Sequence, residues 1–325
     1  MSVEVLKAGL LTTVQDLGRF GCAMLGVGRA GVMDDAAMRI ANALVGNAID
    51  APVLELTLVG PRLRFDAAAT IAIAGAEFSA HIGDREIDAW RPIDIEAGEE
   101  IEIGHARRGL RAWLAICGGI VVEPTLGSAS TDVNAGLGGF DGRALRNGDR
   151  LEIGTFFRFA PSPAKRPSTW SIDPRPWFDS DPDRPIRLVR GTHFDTLDAA
   201  SRSRLFEMRF RVASESNRVG VRLDGSRLAL ASPIELVSEP LAFGTLQLPP
   251  DGQPIALMAE HPTVGGYPRI AQIALVDLPR LAQRRPGETV RFAEIDLDAA
   301  QTRYLERERA LAKLIASIGE RRAAP

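Results

Sequence analysis

The chain has 325 residues, 45% hydrophobic and 25% charged, with a formal net charge of −3 at pH 7. That length and composition suit a globular protein with two cores, and the near-neutral balance argues against nucleic acid or an anionic membrane surface as partner. No apolar run approaches the ~20 residues that span a bilayer, and the opening MSVEVLKAGL lacks the apolar stretch of a signal peptide, so a cytoplasmic protein is expected.

The first strand pattern, with Leu10, Leu11 and Val14 apolar, breaks into the polar, glycine-bearing run QDLGRFG (15–21). A second such run, GVGRAGVMD, ends at Asp34, a predicted N-cap. The helix that follows puts Ala37, Ala41, Leu44 and Val45 on one face and stops at Gly46-Asn47. Leu54, Leu56 and Leu58 alternate with Glu55 and Thr57, which predicts a half-buried strand. IAIAG (71–75) and RAWLAI (111–116) read as buried strands. Ile93 and Ile95, the turn at Ala97-Gly98-Glu99, and Ile101 and Ile103 read as a hairpin. Asn147-Gly148-Asp149, between Leu145 and Leu151, is a second predicted hairpin turn, since Asn-Gly accepts positive φ.

A segment rich in proline, serine and charge, about 156–185, reads as a linker or covering strap. Strands resume at IRLV (186–189). FEMRFRV (206–212) alternates, with Phe206, Met208, Phe210 and Val212 on one face; further strands are predicted at 234–237, 255–259 and 270–276. The tail 298–319 is helical, with Tyr304, Leu311, Ile315 and Ile318 on one stripe. Two echoes, AGEEIEIG with PGETVRF and RAWLAICGGI with PIALMAEHPTVGGYP, suggest two similar β-barrels, although any two barrels share such turns. The expected division is a first barrel over 1–155, a linker over 156–185 and a second barrel with the C-terminal helix over 186–325.

Several chemistries are excluded or disfavoured. Lysine occurs only at 7, 165 and 313, never in a glycine-rich loop, so there is no Walker-type nucleotide site. His81, His105, His193 and His261 have no metal-ligand spacing, and two cysteines cannot form a zinc quartet, so no metal is expected. Cys22 and Cys117 form no CxxC and lie in apolar or glycine-rich surroundings, which predicts reduced, buried thiols. His261 stands out because it precedes PTVGGYP. Ser128 and Ser130 in LGSAST read as a serine-rich turn.

What remains is glycine with polar company. Gly26–Gly31, Gly118-Gly119, Gly136–Gly142 and Gly265-Gly266 let backbone N–H groups approach an anion or a developing oxyanion. Gln15, Asp16, Arg19, Asp34, Asn42, Glu55, Arg143, Arg218, Glu239, Gln247 and Tyr267 lie near these loops or on strands. For any single position a turn or cap role is simpler. Their concentration in a few segments points to a ligand site.

With these segments quoted, a resemblance emerges. LLTTVQDLGRFG, GVGRAGVMDDAAMRIANALVGN, LELTLVGPRLRF, LAICGGI, LGSASTD, GGFDGRALRNGD, SEPLAFGTLQLPPDGQPI, GGYPRIA and AQRRPGETVRF resemble the carboxyltransferase subdomain A/B family, from about residue 3 to about 293. Its members include the C-type component of 5-oxoprolinase, the second subunit of allophanate hydrolase and the matching part of urea carboxylase. The resemblance implies a mainly β protein of two tandem cyclophilin-like barrels. It also implies a B-type carboxyltransferase partner that shares the active site, and a LamB-like third component in the oxoprolinase system. Two chemistries are implied: ATP-driven opening of a lactam such as 5-oxoproline, with ATP held elsewhere in the complex, or transfer of CO₂ from carboxybiotin on another chain to an amide such as urea. A third possibility is a non-catalytic binding partner, like the family's antagonist of a histidine-kinase inhibitor.

Both chemistries develop negative charge on an amide or carboxylate oxygen. Gln15, Asp16 and Arg19 are therefore the catalytic candidates, and Gly118, Gly119, Arg143, Arg218, Gln247, Gly265, Gly266 and Tyr267 the substrate-binding candidates. An alternative role for Asp16 and Arg19, pairing with each other to pin a corner, stands equal. The chain departs from the family pattern at Ala129, Asn217, Val219, Val221, Glu260, Pro262 and Val264, and RGTHFD (190–195) is short. The losses fall mostly in the second half, which leaves the substrate open.

Overall fold

The computed structural model describes residues 1–154 and 170–323; residues 156–169 of the predicted linker lie outside them. Two compact units are formed, Met1–Arg19 with Ala30–Asp179 and Leu311–Pro325, and Phe20–Arg29 with Ser180–Ala310. Each unit therefore borrows a segment from the other's side of a linear boundary.

The first unit holds β1 (Ser2–Lys7), β2 (Leu11–Gln15), β3 (Val53–Thr57), β4 (Arg62–Phe65), β5 (Ala69–Ile82), β6 (Arg85–Glu86), β7 (Ile93–Ile95), β8 (Glu100–Ile116), β9 (Ile120–Val121) and β10 (Arg150–Ile153). They form one nearly closed sheet in the order β2-β3-β8-β4-β1-β10-β9, with β5 paired to β6, β7 and β8. β8 is long enough to serve several partners, and register shifts between Gly75 and Ala80 coil its pairing with β5. The core inside comprises Val3, Val5, Leu54, Leu56, Leu63, Phe65, Ile71, Ile101, Leu114 and Ile116 among others. Each contributes about 1.5–3 kcal/mol by leaving water.

The helix α1 (Asp35–Val45) begins as the sequence indicates: Asp34 accepts from Ala37 N at 3.1 Å. It ends at Gly46, where the chain turns left-handed with φ 80°. There Arg322, from the far end of the chain, donates to Leu44 O at 2.5 Å, placing the last turns of the C-terminal helix on this unit.

In the second unit β11 (Ile186–Arg190), β12 (Arg209–Val212), β13 (Gly220–Asp224), β15 (Thr245–Gln247), β16 (Ile255–Leu257), β18 (Arg269–Ile273) and β19 (Thr289–Glu294) close a barrel; β14 (Glu239–Pro240) and β17 (Val264–Gly265) pair apart from it. Phe210 and Phe292 pack inside with ring centroids 5.8 Å apart. Helices α2 (Ala199–Glu207), α3 (Leu278–Ala282) and α4 (Leu297–Ala323) complete the described chain. On α4, Leu311 and Ile318 are buried, as the stripe predicts. The mainly β, two-barrel architecture expected from the resemblance is present.

Several local expectations need correction. The strands on either side of Ala97-Gly98-Glu99 do not pair with each other. β7 pairs with β5, and the start of β8 pairs with β4 and β5. Alternation sets which side chains face inward, but it does not choose the neighbour. The Asn147-Gly148-Asp149 turn is real, with Gly148 at φ 89° and Asp149 N donating to Arg146 O. Its flanks nevertheless diverge, since Leu145 bonds to Thr12 while β10 joins β1 and β9. FEMRFRV begins in a helix: α2, capped by Asp198, runs through Glu207, Met208 is 43% exposed, and only Arg209–Val212 form the strand. Residues 234–237 form no strand, the next being β14; the strands predicted at 255–259 and 270–276 are shorter. Cys22 and Cys117 are free but only half-buried.

Candidate functional site

The corner at QDLGR is built as a hydrogen-bonded knot against the loop Thr125–Thr131. Gln15 is fully buried at the end of β2. Its amide donates to Thr13 Oγ1 and Thr131 O, both at 3.0 Å, and accepts from Gly31 N at 3.2 Å. Asp16 gathers Gly18 N at 2.8 Å, Ser128 Oγ at 2.7 Å and Ser130 Oγ at 2.5 Å on one oxygen, and Ala129 N at 2.7 Å on the other. The serines of the predicted turn are thus the hydroxyl donors to this carboxylate.

Arg19 does not pair with Asp16. Its Nε donates to Thr125 O at 2.9 Å and its Nη2 to Ser130 O at 2.8 Å. The side chain is 2% exposed, and Nη1 is buried with no hydrogen-bond partner. Among the described residues no carboxylate lies within ion-pair distance of it. A guanidinium whose partners are carbonyls, with no ion-pair partner to offset it, is the kind of group that stabilises an anion nearby. Beneath this corner, Glu55 on β3 is buried rather than outward. It accepts from Met33 N and Trp113 Nε1, both at 3.0 Å.

The remaining candidates of this unit lie in other networks. Gly118 N donates to Asn47 Oδ1 at 2.9 Å, and Asn47 Nδ2 to Ile116 O at 2.8 Å, so the Gly118-Gly119 turn is tied to the end of α1. A Cβ on Gly118 would lie 2.0 Å from Gly154 O. Arg143 is engaged by Asp149 at 2.7 Å and lies over the Phe140 ring. The Arg143 hydrogen bond holds the Asp149 carboxyl below its ordinary range. Its role here is to brace the turn that ends GRALRNGD.

In the second unit the structure brings candidates together along Met258–Tyr267. Arg218 Nε donates to Glu260 Oε1 at 2.6 Å, with both side chains almost wholly buried, and Glu260 N donates to Arg218 O at 2.8 Å. Beyond this pair, β17 docks on β14 through Glu239↔Gly265. Gln247 Nε2 reaches Tyr267 O at 3.4 Å, and a Cβ on Gly265 would come to 2.8 Å from Leu241 and 3.1 Å from that same Nε2. Gly266 passes Leu236 O and Ser238 Oγ, Tyr267 is exposed, and Glu239 pairs with Arg269.

His261 sits between Glu260 and this ribbon. Its Nδ1 is 2.8 Å from Pro262 O. A carbonyl only accepts, so Nδ1 carries the proton and Nε2 is the basic nitrogen. Burial pushes its pKa down from the usual imidazole value; the hydrogen bond to Pro262 O opposes this, and the Arg29 charge adds a smaller lowering. Arg29 is the residue sequence reasoning missed. It lies between the rings of Phe20 and Phe243, 4.8 and 5.3 Å from their centroids. The signal for it was a lone arginine inside the glycine run GVGRAG. Among the described residues no group of three or more His, Cys, Asp or Glu side chains is placed to hold a metal ion, and no helix is long and apolar enough to cross a membrane.

Comparison with known proteins places this geometry. Residues 25–294 match the family "carboxyltransferase domain, subdomain A and B". The chain is 37% identical to the C-type component of 5-oxoprolinase from Escherichia coli over 313 residues, covering 94% of this chain and 96% of that protein. The corresponding Haemophilus influenzae protein is 34% identical over 92% of this chain. Urea amidolyase of Lachancea kluyveri is 33% identical, but the chain spans only 17% of its length. Among solved structures, urea carboxylase of Kluyveromyces lactis superposes with a TM-score of 0.88 at 30% identity, over 98% of this chain and 29% of that one. The chain belongs to the carboxyltransferase subdomain A and B family.

Proposed function

We propose that this chain is the C-type component of an ATP-dependent 5-oxoprolinase-type amidohydrolase, opening a lactam such as 5-oxoproline together with a B-type partner. The observation that carries the reading is similarity. The chain is 37% and 34% identical to two bacterial C-type proteins over more than nine-tenths of its length, against 33% for urea amidolyase and 30% for urea carboxylase. The site supports it in kind. Within the second unit, a cation lying over two aromatic rings and a buried histidine with one basic nitrogen suit an amide whose oxygen gains charge and whose nitrogen exchanges a proton. The lysines lie outside any phosphate loop, so ATP is assigned to another component, with a LamB-like third chain as candidate. A cytoplasmic location fits this assignment.

The likeness to the urea carboxylase fold keeps a second reading, carboxyl transfer from carboxybiotin carried on another chain. One reconstitution separates them. The chain is mixed with its B-type and LamB-like partners, and 5-oxoproline-dependent ATP hydrolysis and glutamate release are measured. Glutamate release that needs all components, and no turnover by the chain alone, is expected. Incorporation of labelled bicarbonate into urea with a biotin carrier, without glutamate release, would overturn the hydrolase reading.

A further inference from the structure

We propose that His261 is the proton-transfer residue of the second unit, exchanging a proton through Nε2 with the amide nitrogen of the substrate. This rests on the amidohydrolase reading above and assigns a residue to its chemistry. Four observations converge. The hydrogen bond from Nδ1 to Pro262 O at 2.8 Å fixes the tautomer and orients the ring. No hydrogen bond is made by Nε2 among the described residues. The backbone leading into the residue is pinned, His261 N by Met258 O at 3.1 Å and Glu260 N by Arg218 O at 2.8 Å. The residue is buried but keeps 7% of its surface open.

The neighbouring charges favour a neutral base. Arg29 is the charged group that bears on the imidazole, and it disfavours the imidazolium. Glu260, the adjacent carboxylate, does not offset this, because its Oε1 is taken by Arg218 at 2.6 Å. Arg29 itself is held over Phe20 and Phe243, so its charge is fixed in place. A neutral base beside a fixed cation is a workable pair for amide cleavage: one accepts a proton, the other stabilises the oxygen that gains charge.

The step balances with water as co-reactant. Nε2 takes one proton from the attacking water, whose oxygen forms the new bond to the amide carbon. The C–N bond then breaks, its electron pair stays on nitrogen, and the imidazolium returns the proton there. The ring is restored to its neutral form.

The test uses the assembled complex and His261→Asn. The asparagine amide can keep the donor to Pro262 O while removing Nε2. Expected is an assembled complex with the wild-type melting temperature to within a few degrees. Its kcat should fall by about 10²–10⁴-fold with KM little changed, and the acid limb of the kcat/KM profile seen in the wild type should be absent. Nitrogen-15 NMR of the isolated chain should show the Nδ1–H tautomer at neutral pH, and Arg29→Gln should raise the imidazole pKa. A folded His261→Asn complex with turnover within threefold of wild type, or an Nε2–H tautomer, would overturn the proposal while leaving the amidohydrolase reading intact. A wild-type complex with no lactam turnover would overturn both.

Discussion

Removing the guanidinium of Arg19 tests how the first corner is held. Arg19→Ala deletes two charge-assisted hydrogen bonds, to Thr125 O at 2.9 Å and Ser130 O at 2.8 Å, and leaves those carbonyls without a donor from a side chain that was 2% exposed. Hydrogen bonds to charged groups contribute about 1.5–3 kcal/mol each. These values are already net of the water each group gives up, and because the cation has no carboxylate beside it among the described residues, the lower end of their sum applies. The net expected loss is about 3 kcal/mol. For a domain of this size that is a fall in Tm of about 6–12 °C. Arg19→Lys, with one compact donor group in place of a planar fork, should lose about half as much. Arg19→Met, which keeps the apolar stem and drops the charge, should fall between Lys and Ala. Scanning calorimetry on the isolated chain measures all three. A drop below about 1 kcal/mol for Arg19→Ala would refute the view that these two contacts hold the corner. If such a stable variant also left the complex fully active, Arg19 would be removed from the site as well.

Other outcomes follow from particular contacts. Asp149 is held ionised by Arg143, so its contribution is complete above the usual carboxylate pKa and is lost as pH falls through the lower folded value; Asp149→Asn should lower stability at pH 7 and flatten the acid limb of a urea-denaturation series. His261 works in the same direction, since a pKa lowered by burial makes the folded state weaker as pH drops below the ordinary imidazole value, a dependence that His261→Asn should remove. Asp34→Ala removes the cap on α1 and should cost about 1 kcal/mol by chemical denaturation. Gly118→Ala places a Cβ 2.0 Å from Gly154 O at a backbone φ of 97°, so it should yield little soluble, folded protein, whereas the open position Gly98 should tolerate alanine with only its positive-φ strain.

Much of the local structure was written in short-range pattern. Asp34 and Gly46 bracket α1, Asn147-Gly148 makes its turn, and the α4 stripe buries Leu311 and Ile318, because caps, positive φ and helical period depend on neighbours within a few residues. Family membership was equally legible, since QDLGR, LAICGGI and GRALRNGD survive as contiguous words. Pairing was not legible: β7 chose β5 over β8, and Met208 left the strand pattern for a helix end, because partner choice is set by packing across the whole sheet. The site divided the same way. Gln15, Asp16 and Arg19 could be singled out from their run, but only the fold brought Ser128, Ala129 and Ser130, more than a hundred residues away, onto Asp16 and left Arg19 without a carboxylate among the described residues. His261 could be singled out by its place before PTVGGYP; its free nitrogen and the Arg29 charge beside it depend on burial and on a loop from the start of the chain. Sequence determines which groups are available, and tertiary structure decides their charge and their partners, because desolvation and long-range contacts exist only once the chain has closed around them.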